Sequence, residues 1–201
     1  QVTSGGRSND RSVDRIREAL YTHRREKASF IFNYFDKGES PVLRISADSG
    51  KTLRYGENPH QKGVFYGNFN EIFEQLHGKE ISYNNLLDID AAVSLIADFD
   101  ETALAILKHN NACGMACRST VKEAWETALA ADPISAFGGI VVTNRQVDAE
   151  AAKAINEIFF EVIIAPDYSQ DALNILFQKK NRIILKQKIT GKEANNTQVR
   201  S

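Results

Sequence analysis

A chain of 201 residues accommodates one domain of ordinary size with extensions, and 42% hydrophobic with 25% charged residues gives it the means to bury a sizeable core. The 25 Lys and Arg against 26 Asp and Glu leave a formal net charge of -1, which excludes a general nucleic-acid or membrane-surface binder and points to a small partner. No apolar run approaches the roughly 20 residues that span a bilayer, and the start QVTSGGRSNDRS lacks the apolar stretch of a signal peptide, so a cytoplasmic protein is expected.

Residues 1–10 are polar and rich in Gly and Ser. Val13, Ile16, Leu20, Ile31 and Phe35 then follow roughly helical spacing, which predicts an amphipathic helical extension. Gly38 and Pro41 end that pattern near DKGESP, so a domain boundary is expected between residues 40 and 41, followed by a short strand over Val42 to Ile45. LRYGENPHQ mixes charge, aromatic, Gly and Pro within a few residues and reads as an ordered loop leading into a strand at GVFYG. SYNNLLDID offers helix-capping Asn and Asp residues, and AAVSLIADF carries the apolar positions of the helix that follows.

ALAIL is a continuous apolar run that suits a strand buried on both faces, although the pattern alone leaves a short buried helix open. The strand stops at Lys108, and HNNACGMACRS reads as a loop. From Thr120, a capping residue for TVKEAWETALAA, strand and helix alternate through GGIVVT, DAEAAKAINEIF, EVIIAP, SQDALNILFQKK and RIILK. This rhythm predicts an α/β fold with helices on both sides of a sheet. The polar end KQKITGKEANNTQVRS reads as a connection to a further segment.

Open α/β sheets bind ligands beyond the carboxyl ends of their strands, which is where Lys108, His109, Asn110 and Asn111 leave ALAIL. Histidine exchanges protons near neutral pH and an adjacent lysine stabilises charge developing on a carbonyl oxygen, a pairing that suits acyl-type transfer. In the loop at residues 54–61, Arg54 offers a guanidinium for phosphate and Tyr55 a face for a planar base. The glycine pair of SAFGG permits close backbone approach to a ligand but matches neither GxGxxG nor a Walker loop.

His109, Cys113 and Cys117 form an H-x3-C-x3-C array that invites a zinc reading. Zinc nucleobase deaminases, however, use H-x-E followed by P-C-x-x-C, a pattern missing here, so no metal is expected and the cysteines read as small packing residues near a helix start. Their close spacing predicts free thiols rather than a disulfide.

Taken in order, LRYGENPHQ, ISYNNLLDIDAA, LKHNNACGMA, DPISAFGGIVV and EVIIAP resemble the transformylase region of the bifunctional purine-biosynthesis family that also carries inosine monophosphate cyclohydrolase activity. The likeness covers about residues 53–186, and IFNYFDKG is similar to the end of that family's cyclohydrolase domain. It implies a domain end and linker over residues 1–40 and, over 41–201, the first of two cytidine deaminase-like units, each a three-layer α-β-α sandwich. It also implies formyl transfer from 10-formyltetrahydrofolate, the co-substrate, to the 5-amino group of 5-aminoimidazole-4-carboxamide ribonucleotide, in a homodimer with composite sites.

By the same resemblance His109 transfers the proton and Lys108 is its electrostatic and proton-donating partner. Arg54 and Tyr55 hold the nucleotide, Asn110 neighbours the reacting groups, and Gly138 and Glu161 line the nucleotide and folate pocket. Two other readings stand beside this one: a non-catalytic nucleotide-binding module, and a zinc-dependent deaminase.

Overall fold

The computed structural model describes residues 50–53 and 55–188. In chain order they form β1 (Gly50–Thr52), β2 (Val64–Tyr66), α1 (Phe69–Ile72), β3 (Phe73–His77), α2 (Tyr83–Ile96), β4 (Ala103–Lys108) and β5 (Asn111–Cys117). There follow α3 (Val121–Ala131), α4 (Pro133–Ala136), β6 (Ile140–Thr143), α5 (Ala149–Ile155), β7 (Val162–Ala165), α6 (Gln170–Leu176) and β8 (Ile183–Gln187). The expected helix over residues 13–35, the strand at 42–45, the boundary at 40/41, Arg54 and most of the polar end lie outside the described residues.

Strands β3 to β8 make one six-stranded sheet in the order β3-β8-β7-β6-β4-β5, while β1 and β2 form a separate antiparallel pair. The run β6-α5-β7-α6-β8 is the parallel unit that the alternating pattern predicts, with β6 beside β7 and β7 beside β8. β4 departs from it, pairing antiparallel with both β5 and β6. The sheet is therefore mixed.

Side chains alternate strictly across it. Leu104, Ile106, Val141, Ile163 and Ile184 face a core shared with α3, α4, α5 and α6, including Trp125, Ile155, Phe160 and Leu176. Ala105, Leu107, Ile140, Val142, Ile164 and Leu185 face the opposite core, closed by Ile89, Ala92, Val93 and Ile96 of α2. Helices thus cover both faces of the sheet, which is why β4, β6 and β7 read as unbroken apolar runs rather than alternating ones. Ala103 to Leu107 are all buried, as ALAIL predicts.

The helix starts follow the capping chemistry. Thr120 and Glu123 form a capping box on α3, and Ser82 with Asn85 forms the corresponding box on α2. Asp148 and Ser169 accept from the third residue of α5 and α6.

Two stretches differ from expectation. Residues 111–117, expected as loop, form β5, because Asn111 turns straight back onto Lys108 and the small residues NACGMAC fit between β4 and α3. FEQLH forms β3, an edge strand on β8 that carries too few apolar residues to signal itself locally.

Candidate active site

The chain reverses from β4 to β5 across only two residues. Lys108 pairs with Asn111, and His109 and Asn110 between them both take positive φ, 53° and 61°. Left-handed backbone at two consecutive positions is a type I′ hairpin turn, whose twist matches that of the strands it joins. Asparagine tolerates this conformation, but a residue with a full side chain pays about 1–2 kcal/mol for it. His109 therefore sits on strained backbone.

Four hydrogen bonds hold the turn. The Asn110 backbone N–H donates to Asp88 Oδ1 of α2 at 2.7 Å. The Asn110 amide is satisfied with its nitrogen facing α2, donating to Asp88 Oδ1 at 3.0 Å and to the Leu87 carbonyl at 3.1 Å. On the other side Asn111 Nδ2 donates to the His109 carbonyl at 2.9 Å.

Lys108, half-buried, reaches across to the loop before β6, where Nζ donates to the Phe137 carbonyl at 2.8 Å. That loop is held close to β4. A Cβ on Gly139 would lie 2.7 Å from the Leu107 carbonyl, so only glycine allows this approach, and Gly138 before it has φ of 76°. Gly138 N–H donates to the Phe159 carbonyl, and Glu161 N–H to the Gly139 carbonyl, at 2.8 and 2.9 Å. The segments before β6 and β7 are thereby joined.

Glu161 Oε2 accepts from Asn85 Nδ2 at 3.0 Å and meets Lys79 Nζ at 3.4 Å. Asn84 Nδ2, one residue before Asn85 on α2, donates to the Glu57 carbonyl of the 55–61 loop at 3.4 Å. That loop is closed by its own backbone: Gly56 N–H donates to the Gln61 carbonyl at 2.8 Å and Gln61 N–H to the Asn58 carbonyl at 3.0 Å. Tyr55, at its start, is half-buried.

Of the sequence-predicted residues, Lys108, His109, Asn110, Gly138 and Glu161 thus gather at one edge of the sheet, with Tyr55 on a loop tied to the same helix. Its direction is a correction. Lys108 does emerge from the carboxyl end of β4, but β4 runs against β6, so this edge carries the amino ends of β6, β7 and β8. The rule for parallel sheets pointed to these residues through a strand that does not obey it.

Sequence reasoning missed Asp88, Asn85 and Lys79. SYNNLLDID was informative only as a capping signal, and Asn85 does serve the cap while its amide nitrogen holds Glu161. Nothing local marks Asp88, whose partner lies 22 residues further along the chain.

The cysteines lie on a strand rather than near a helix start. Cys113 and Cys117 are four residues apart on β5, which separates them by about 13 Å, too far to share one ion. Among the described residues no group of three or more His, Cys, Asp and Glu side chains is placed to hold a metal. Cys113 is the extra residue of a bulge opposite Ile106 and Leu107. Burial and then the Asp132 carboxylate push its thiol up, while Lys108 opposes them. Asp132 caps α4, and its hydrogen bonds from Ser135 hold it below the usual carboxylate range. Beside Lys108, the rings of Phe137 and Phe159 pack at 5.4 Å, 58% and 47% exposed, leaving an apolar surface open at the site.

A family model described as AICARFT/IMPCHase bienzyme matches residues 2–201. The chain belongs to the AICARFT/IMPCHase bienzyme family. It is similar to proteins named bifunctional purine biosynthesis protein PurH. The one from Bacteroides thetaiotaomicron is 66% identical over 160 residues, 80% of this chain and 32% of the relative. That from Chloroflexus aurantiacus is 46% identical over 193 residues, 93% and 37% of the two chains, and that from Halalkalibacterium halodurans 50% over 154 residues, 73% and 30%. The chain therefore spans between 30% and 37% of the length of these family members.

Proposed function

We propose that this AICARFT/IMPCHase family chain supplies the proton-handling half of a formyltransferase site, and that the protein transfers a formyl group from 10-formyltetrahydrofolate to the 5-amino group of 5-aminoimidazole-4-carboxamide ribonucleotide during purine biosynthesis. The observation that carries the reading is the pinned turn: His109 is presented at the tip of a two-residue hairpin with Lys108 beside it, next to Gly138 and Glu161.

The acceptor amine is a weak nucleophile, because its lone pair is delocalised into a ring bearing a carboxamide. As its nitrogen bonds to the formyl carbon, the carbonyl oxygen takes up negative charge and the nitrogen becomes acidic. His109 receives that proton, and the Lys108 ammonium stabilises the oxyanion. Collapse reforms the carbonyl and breaks the bond to N10 of the folate, which takes a proton from the Lys108 ammonium and leaves as tetrahydrofolate, while the proton held by His109 restores Lys108.

Arg54 and Tyr55 hold the phosphate and the ring or ribose, Asn110 positions the reacting groups, and Gly138 and Glu161 line the pocket. The apolar surface of Phe137 and Phe159 suits the planar part of the co-substrate. Helices on both faces and the parallel β6-β7-β8 unit support a cytidine deaminase-like unit, the first of two over residues 41–201, with residues 1–40 ending the cyclohydrolase part. The protein acts in the cytoplasm as a homodimer with composite sites.

The test is tetrahydrofolate release by the full-length protein carrying His109→Ala. Turnover is expected to fall about 10²- to 10⁴-fold, the range for a lost general acid–base group. Near-wild-type turnover would remove His109 from the mechanism.

A further inference from the structure

We infer that Asp88 of α2 is a positioning residue for this site, holding the His109–Asn110 turn in its left-handed conformation and so fixing where the His109 ring and the Lys108 ammonium stand. The inference rests on the proposed formyl transfer for its kinetic consequence, but not for the geometry.

Two non-glycine residues in succession adopt positive φ, 53° and 61°; a two-residue loop between the paired Lys108 and Asn111 favours such a primed turn, but the ladder does not fix where the turn stands against α2. A contact to the turn itself stabilises the two left-handed residues and fixes that position. Asp88 Oδ1 does so, accepting from the Asn110 backbone N–H at 2.7 Å and from its side-chain amide at 3.0 Å. Both donors belong to the second turn residue, so its peptide and side chain are fixed together.

The anchor is itself rigid. Asp88 lies one helical turn after Asn85, whose amide nitrogen holds Glu161, and next to Leu87, whose carbonyl accepts from Asn110 at 3.1 Å. The neighbouring Ile89, Ala92 and Val93 bury the helix against the sheet. A carboxylate on such a helix sets the turn's position to within a hydrogen-bond length, the tolerance that reacting groups require.

The experiment compares Asp88→Ala, Asp88→Asn and His109→Ala in the full-length protein, reading kcat and KM for tetrahydrofolate release together with amide hydrogen exchange. Asp88→Ala is expected to lower kcat about 10- to 100-fold, the cost of a misplacement near 1 Å, with KM for the ribonucleotide little changed. Exchange at the Asn110 amide should accelerate about 10-fold or more while the β4 and β5 ladder amides stay protected. Asp88→Asn keeps an acceptor oxygen for the Asn110 N–H and should recover most of the turnover and the protection, which also covers the case in which the alanine variant fails to fold.

Unchanged kcat and unchanged Asn110 exchange in Asp88→Ala would overturn the inference. So would an Asp88→Asn protein as impaired as the alanine variant, which would assign Asp88 a role through its charge instead. If His109→Ala turns over normally, the formyl-transfer reading fails, and the exchange data still decide whether Asp88 holds the turn.

Discussion

Cys113 reports on the charges around the proposed catalytic lysine. Burial and Asp132 raise its thiol, and Lys108 lowers it, so the thiolate that reacts with an alkylating agent is scarce at pH 8. Removing the negative neighbour with Asp132→Asn, which keeps the cap on α4, should speed iodoacetamide labelling of Cys113. Lys108→Gln should slow it. Peptide mapping separates Cys113 from Cys117, and equal rates in all three proteins would show that neither charge reaches the thiol. The sequence identified Cys113 only as a small packing residue near a helix start. Its electrostatic setting required β5 to place it between residues 108 and 132.

Among the elements, β7 and β8 are stitched together by a side chain that belongs to neither. Tyr168, buried before α6, donates its hydroxyl to the Leu185 carbonyl at 2.9 Å and also lies 3.2 Å from the Ile163 carbonyl. Tyr168→Phe is expected to cost about 1 kcal/mol at neutral pH, the net value of a hydrogen bond, read as a lowered urea midpoint. Burial pushes the phenol well above its ordinary value. The sign follows: a raised acid pKa means that the folded protein keeps a proton the unfolded chain releases, so stability falls as pH rises from about 10 toward the folded value. Tyr168→Phe should flatten that alkaline loss. An unchanged slope would mean that Tyr168 is not its source.

The elements were legible where their signals were local. Thr120, Asp148 and Ser169 announced helices that begin where expected, and ALAIL, GGIVVT and VIIA announced buried strands. β5 was not, because Asn, Ala, Cys and Gly carry little strand propensity and the strand exists through its neighbours. The type I′ turn was equally hidden, since His-Asn is not among the dipeptides that favour it most.

At the scale of the molecule, the two cores share the strands of one sheet, which predicts that they unfold together. Ile163, fully buried on the face with α3, α5 and α6, supports the layer that contains the single tryptophan, Trp125. Ile163→Ala should lower stability by about 2–5 kcal/mol, a large part of the roughly 5–15 kcal/mol of an ordinary domain. Trp125 fluorescence and far-UV circular dichroism should shift to the same new midpoint. Separate midpoints would mean that the α2 layer holds on its own.

By itself the sequence determined the layered α/β character, most helix starts, the apolar strands and the ordered motifs by which the family is recognised. These are set within a few residues, by capping groups, by apolar runs and by exact residue identities. The tertiary structure decided that β4 runs antiparallel to β6, and this brings Lys108 and His109 to the same edge as Gly138 and Glu161. It also decided that Asp88, 22 residues before Asn110, holds their turn. Strand direction and such distant hydrogen bonds depend on which segments meet in three dimensions, and local periodicity carries no record of that.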